Sequence, residues 1–311
     1  MDRLIVILGP TAVGKTRVSI DLAKILQTEI ISGDSMLIYR GLDIGTAKPS
    51  PVERDGIMHQ LVDILDPDAA YSVVDFQTQA SRLIATLNSQ DKIPILAGGT
   101  GLYIKSLLEG YHFTTVTGSE EVRSDLAKLA DLHGKEHLHA LLTEVSPDTA
   151  ARLHPNDLRR VIRALEVHQL SGETVSTRRQ APTELLYNTM VLGLTMSREH
   201  LYQRINQRVD AMLAAGLVAE VSKLLAAEIP ADSQALQGIG YKEIVAFLDR
   251  QISLETAIEQ IKQATRNFAK RQMTWFRKMP YIHWVDVEAF QDHDEMMAYI
   301  YSLVAGKFAL K

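Results

Sequence analysis

The stretch Gly9-Pro10-Thr11-Ala12-Val13-Gly14-Lys15-Thr16 constrains this chain more than any other. It has the spacing G-x-x-x-x-G-K-[ST] and follows the apolar run Leu4–Leu8 directly. A short, apolar, β-branched run reads as a parallel strand buried on both faces. A helical stretch from about Lys15 to Leu26 comes next. Strand, glycine loop and helix in that order make a phosphate cradle. The glycines let backbone N–H groups wrap an anion, and the helix N-terminus adds a favourable dipole. Lys15 brings a point charge, and Thr16 offers a hydroxyl to Mg²⁺. Residues 9–16 are therefore candidate phosphate ligands, with Thr16 the candidate metal ligand. The motif does not choose among phosphate compounds, and ATP is the default.

A nucleotide hydrolase would add an apolar strand ending in an Asp that reaches the metal. Ile93–Leu96 ends instead in Ala97-Gly98-Gly99, and Leu61-Val62-Asp63 fits that pattern poorly. A phosphate site is legible; hydrolytic machinery is not.

Further along, Glu29–Ser32 and Ile93–Ala97 read as strands. Val73–Leu87 and the segment from Gly98–Gly101 to Leu108 read as helices. This alternation predicts an α/β fold, a P-loop NTPase-like parallel sheet flanked by helices. From about Thr114 to Pro182 only helical patterns occur: Glu120–Leu132, Glu136–Glu144, Pro147–Leu153 and Asp157–Leu170. Residues 114–184 are therefore expected to form an all-helical lobe inserted into a core of residues 1–113 and 185–311. Thr189–Met196 resumes as a strand. Ser253–Lys278 reads as a long basic helix, Tyr281–Val285 as a last strand and His293–Val304 as a closing helix.

Composition narrows the classes. The 311 residues contain no cysteine, which excludes disulfides, Cys-ligated zinc and Cys nucleophiles and suits a cytoplasmic protein. No apolar run is long enough for a signal peptide or a membrane span. No obligate protein partner is evident. The net charge of −5 argues weakly against a nucleic-acid partner, but its distribution does not. Between Ile261 and Pro280 stand Lys262, Arg266, Lys270, Arg271, Arg277 and Lys278 with no acidic residue. A second basic group comprises Arg152, Arg159, Arg160 and Arg163, with Arg178 and Arg179 beyond it.

Asp34 follows the second strand. Ligands in open α/β sheets sit beyond the carboxyl ends of strands, where a general base belongs. An Asp after Gly33 also suits a plain turn. Gly98-Gly99-Thr100-Gly101 could bind a second anionic oxygen through backbone N–H groups and the Thr100 hydroxyl, or serve as a tight strand-to-helix turn. Arg204 and Arg208 share a helix face, so one of them could neutralise a leaving phosphate. Exposed arginines on an amphipathic helix are the plainer reading.

Several segments together resemble the bacterial tRNA dimethylallyltransferase (tRNA isopentenyltransferase) family: GPTAVGKT (9–16), SGDSMLIYRGLDIGTAKP (32–49), GGTGLYIKSLLEG (98–110), HPNDLRRVIRALEV (154–167), RINQRVDAMLAAGLVAEV (204–221), GIGYKE (238–243) and TRNFAKRQMTWFRK (265–278). They run in order over almost the whole chain. The resemblance implies that the P-loop holds a diphosphate and that the substrates are dimethylallyl diphosphate and the adenosine 3′ of the tRNA anticodon. It implies Asp34 as general base, Thr100 at the leaving group and Arg208, rather than Arg204, as diphosphate ligand. It carries the tRNA contacts onto Asp34, Ser35, Met36 and Leu37, onto Thr100 and Arg123, onto Arg159, Arg160, Val161, Ile162 and Arg163, and onto Gln237, Gly238, Ile239, Gly240, Tyr241 and Lys242. The C-terminal zinc-finger extension of some members is expected to be absent. Phe268, Trp275 and Phe276 could stack on bases, but packing into the core is the better reading.

Two other classes fit part of the pattern. A P-loop kinase for a small metabolite explains the cradle and a helical lid, but not the long basic helix. A non-catalytic RNA-binding module explains the basic helices and leaves the cradle unused.

Overall fold

In the computed structural model of the chain, residues 1–111, 113, 116, 118–172 and 184–310 are described; Arg178 and Arg179 lie outside them. Among the described residues six strands are formed: β1 (Arg3–Leu8), β2 (Ile30–Ser32), β3 (His59–Gln60), β4 (Ile95–Gly98), β5 (Asn188–Thr195) and β6 (His283–Asp286). They form one sheet in the order β3-β2-β4-β1-β5-β6, every neighbouring pair parallel. In register, Val6 of β1 lies opposite Leu96 on one side and Val191 on the other.

The apolar run of β1 has a direct cause. Successive side chains point to opposite faces, and both faces are covered. Leu4, Val6 and Leu8 enter one core cluster, while Ile5 and Ile7 enter another. All five are fully buried, each contributing roughly 1.5–3 kcal/mol against an exposed reference.

The helices are α1 (Lys15–Leu26), α2 (Pro51–Arg54), α3 (Val73–Ser89), α4 (Gly101–Glu109), α5 (Glu120–His133), α6 (Lys135–Val145), α7 (Pro147–Ala150), α8 (Leu158–Ser171), α9 (Arg198–Ala214), α10 (Leu217–Ala226), α11 (Tyr241–Leu248), α12 (Leu254–Phe276) and α13 (His293–Phe308). Ser72 starts α3 with a capping box in which Ser72 and Asp75 satisfy each other's backbone N–H groups. Ser253 caps α12 through Thr256 N–H.

The chain divides into two compact units, Met1–Gly110 with Thr183–Lys311, and Tyr111–Pro182. The first holds the sheet. The second is helical within its described residues and has its own core, including Leu126, Leu138, Leu142, Val161 and Leu165.

Two features escape the sequence patterns. Strand β3 is a two-residue edge strand, too short to carry any periodicity. Asp63, the poor candidate for a metal-reaching Asp, sits at φ 57° just past it. Its carboxylate is engaged by the buried Lys48 and by Arg54 at 3.4 Å. Asp63 therefore neutralises a loop cluster rather than ending a strand at the phosphate site.

Candidate active site

The sheet order places β1, β4 and β2 side by side, so the three loops leaving their carboxyl ends are neighbours. These are the P-loop after β1, Gly33–Leu37 after β2 and Gly98–Gly101 after β4. The strand ends approach closely. A Cβ on Gly98 would stand 2.3 Å from the Gly33 carbonyl oxygen, so only glycine fits there. Gly9 and Gly14 take φ 147° and 112°, values that side chains avoid.

Ala12, Gly14, Lys15, Thr16, Glu53, Arg204 and Arg208 line a cavity of about 490 Å³. The Lys15 ammonium donates to the carbonyls of Gly9 at 2.9 Å and Pro10 at 2.8 Å. Burial lowers the Lys15 pKa to about 8, against the opposing pull of Asp34. Arg208 lies half-buried, and Nη1 donates to the Thr11 hydroxyl at 3.3 Å. Burial lowers its pKa too, with Glu53 and Asp34 acting the other way. Arg204 is exposed and reaches only the Val13 carbonyl at 3.5 Å. Arg208 thus lies within electrostatic reach of Asp34.

Asp34 forms a local turn, its Oδ1 accepting the Met36 N–H at 2.9 Å. Thr100 N–H donates to the Gly33 carbonyl at 3.2 Å, and the Thr100 hydroxyl accepts the Ser35 N–H at 3.1 Å. The two readings of Asp34 are thus compatible: one carboxylate oxygen shapes the turn while the group stays near Lys15 and Arg208.

Thr16 is exposed on the cavity wall in the first turn of α1. Among the described residues no group of three or more His, Cys, Asp or Glu could hold a metal ion. One hydroxyl beside a phosphate cradle fits Mg²⁺, which keeps several waters and takes other ligands from substrate phosphates.

The family profile described as IPP transferase matches residues 37–279. The chain belongs to the IPP transferase family. A tRNA dimethylallyltransferase of Bacillus velezensis is 48% identical over 309 residues, covering 99% of this chain and 98% of that protein. One of Bacillus subtilis is 46% identical over 308 residues, with the same coverage. Among solved structures, the full-length tRNA isopentenylpyrophosphate transferase of Bacillus halodurans is 43% identical with a TM-score of 0.75, covering 99% of this chain and 97% of that one. A eukaryotic dimethylallyltransferase acting on tRNA is 30% identical with a TM-score of 0.79, covering 96% of this chain and 78% of that one.

The segment after Asp34 is met by the loop between α10 and α11. Gly238 approaches Met36 so closely that a Cβ on it would lie 2.6 Å from the Met36 Cε. Segments 34–37 and 237–242 thus come together, with Gln237 and Lys242 exposed and Tyr241 buried. Lys270 and Arg271 on α12, and Arg277 and Lys278 just past its end, are exposed, whereas Lys262 pairs with Asp210 at 2.7 Å and Arg266 donates to Asn206 at 2.7 Å. Phe276 is fully buried and Trp275 packs against the core; Phe268 is half-buried with the Arg271 guanidinium 5.8 Å from its ring centre.

In the helical unit, Arg159 and Arg160 are exposed. Val161 is fully buried and Ile162 half-buried, and both pack in the core of this unit. Arg163 and Arg123 converge on the fully buried Glu166 at 2.5 and 2.8 Å, and Ser119 N–H joins them at 2.8 Å. Burial works against the Glu166 charge, but these partners outweigh it and hold its pKa below the usual range.

Sequence reasoning missed Gln272 and Glu220. Each engages backbone groups far away in the chain, and no local pattern marks such a residue.

Proposed function

We propose that the cavity binds dimethylallyl diphosphate and that the chain transfers the dimethylallyl group to N6 of the adenosine 3′ of the anticodon in tRNA, releasing diphosphate. Family membership carries the reaction class, a dimethylallyl transfer to tRNA. One observation supports the assignment to residues: three neighbouring strand ends carry the phosphate cradle, Thr100 and the Asp34 carboxylate, while Arg208 on α9 donates to Thr11 and is drawn by Asp34.

The exocyclic amine is a poor nucleophile, because its lone pair is delocalised into the ring. The allylic carbon ionises readily once its leaving group is stabilised. Catalysis is therefore chiefly electrostatic. P-loop N–H groups, Lys15 and Arg208 take up the charge that develops as the carbon–oxygen bond breaks, and Thr100 orients the bridging oxygen. The N6 lone pair forms the new carbon–nitrogen bond, and Asp34 accepts the proton that N6 sheds. Thr16 would hold Mg²⁺, which supplies further positive charge to the diphosphate.

The adenine leaves the anticodon loop stack to reach this site. Residues Asp34–Leu37 and Gln237–Lys242 would receive the loop. Arg159, Arg160, Arg123, Arg163 and the exposed bases of α12 would hold phosphates. The insertion expected over residues 114–184 would serve as a tRNA-contacting lobe. Among the described residues no helix is long and apolar enough to cross a membrane, and the site of action is the cytoplasm, with its tRNA pool.

The test is mass analysis of nucleosides from tRNA incubated with protein, Mg²⁺ and dimethylallyl diphosphate. One adenosine per susceptible tRNA should gain a dimethylallyl group. Consumption of ATP with unaltered RNA would instead favour a kinase.

A further inference from the structure

We propose that Gln272 is a positioning residue of the phosphate site, an amide clamp that holds the P-loop and the Gly98–Gly101 loop at a fixed spacing. The inference rests on the reading of the cavity as a diphosphate site and adds a residue that touches no substrate.

Gln272 lies on α12 and is 4% exposed. Both ends of its amide are used. Oε1 accepts the Thr11 N–H at 2.8 Å, and Nε2 donates to the Gly99 carbonyl at 2.9 Å. A Cβ on Gly99 would stand 2.3 Å from Nε2, so the glycine is demanded by the amide itself. One turn further on, a Cβ on Gly101 would stand 3.2 Å from the Trp275 Cβ. The inner face of α12 therefore lies directly on the loop that carries Thr100.

A carboxamide meets both demands, an acceptor at one end and a donor at the other. A carboxylate would face the Gly99 carbonyl with a second acceptor. An apolar side chain would strand a buried N–H and a carbonyl. Thr11 is held from two sides, its N–H by Gln272 and its hydroxyl by Arg208 at 3.3 Å. Gln272 thus sets where Arg208 and Thr100 stand relative to one another, and both are proposed to meet the departing diphosphate. Displacements of about 1 Å in such groups cost roughly 100-fold in rate. The same helix carries Lys270 and Arg271 on its exposed side, and Arg277 and Lys278 follow its last turn.

The experiment compares the parent with Gln272→Leu, Gln272→Ala, Gly99→Ala and the Gly99→Ala/Gln272→Ala double variant. Its readouts are calorimetric binding of inorganic diphosphate, tRNA affinity by filter binding, and kcat for transfer. Gln272→Leu should lower kcat about 100-fold and weaken diphosphate binding about tenfold, with tRNA affinity held within about threefold. Gly99→Ala should be similarly damaging alone. Added to Gln272→Ala it should cost almost nothing, because the atom it strikes has gone. Undiminished kcat in Gln272→Leu, a parallel loss of tRNA affinity, or additive losses in the double variant would each overturn the proposal. If Gln272→Leu does not fold, the Gly99→Ala pair decides. If the parent transfers nothing, the reaction assignment fails while calorimetry still tests the clamp.

Discussion

The Tyr241 hydroxyl donates to the Glu220 carboxylate at 2.6 Å, and that carboxylate also accepts the backbone N–H groups of Asp43, Ile44 and Gly45 at 2.8–3.1 Å. Four donors from two distant segments thus close on one side chain. The fit is tight: a Cβ on Gly45 would stand 2.5 Å from the Tyr241 ring. The arrangement sets an order of effects. Glu220→Ala strands all four donors and should cost about 2–3 kcal/mol, whereas Tyr241→Phe removes one and should cost about 1 kcal/mol. Thermal melts check this, and a larger loss for Tyr241→Phe would contradict it.

Asp34→Asn separates the turn from the chemistry. The Asn Oδ1 still accepts the Met36 N–H, so the loop keeps its shape. The amide cannot take up a proton. Transfer should fall about 10²–10⁴-fold, with tRNA affinity nearly unchanged in a binding assay. Equal loss of both would make Asp34 a turn former alone.

The Lys15 pKa of about 8 makes diphosphate binding pH-dependent. The ammonium form is needed, so the advantage of the parent over Lys15→Met should shrink as pH rises through 8, read by calorimetry with inorganic diphosphate. The sign for stability is opposite to that of a salt-bridged lysine. The folded value lies below the ordinary lysine value of 10.5, so between about pH 8 and 10.5 the unfolded chain binds more protons. The buried charge therefore weighs against folding in full below pH 8, and that burden lifts as pH climbs towards 10.5. Lys15→Met should melt no lower than the parent at pH 7. A markedly lower melting temperature would show that the ammonium stabilises the loop.

Arg160 is exposed and, among the described residues, forms an ion pair with its neighbour Asp157 at 3.3 Å. Arg160→Glu should weaken tRNA binding about tenfold and reduce the salt slope by roughly 1 or more, leaving diphosphate affinity intact. Unchanged tRNA binding in a salt titration would remove the helical unit from the RNA interface. Arg123 and Arg163 are poorer probes, because replacing either also leaves Glu166 short of a partner.

What could be read from the residues alone was local. The β1 run, the glycine spacing of the P-loop and the 3.6-residue periods of α1, α3 and α12 each declare themselves within one window. The sheet follows from strand–helix alternation, and the β1-centred order was not needed to foresee it. The missed features depend on distance along the chain. Gln272 meets Thr11 across 261 positions, and Glu220 meets Asp43 across 177. Lys262 and Arg266 look like free charges until α9 brings Asp210 and Asn206 beside them. Arg204 and Arg208 share one face, and only burial near Asp34 distinguishes them. Strand β3 exists because β2 offers it an edge.

The position of β1 between β4 and β5 has a consequence for biosynthesis. The strand made earliest must wait for a partner that emerges about 180 residues later, some 10–40 s at ordinary elongation rates. During that interval the edge of β1 that pairs with β5 stands open, while the helical unit, whose cluster among the described residues lies within Val122–Leu165, can close first. Nascent chains halted before β5 should be cut readily near Leu4–Leu8 yet resist proteolysis in the helical unit; protection of both would mean that the sheet closes without its fifth strand.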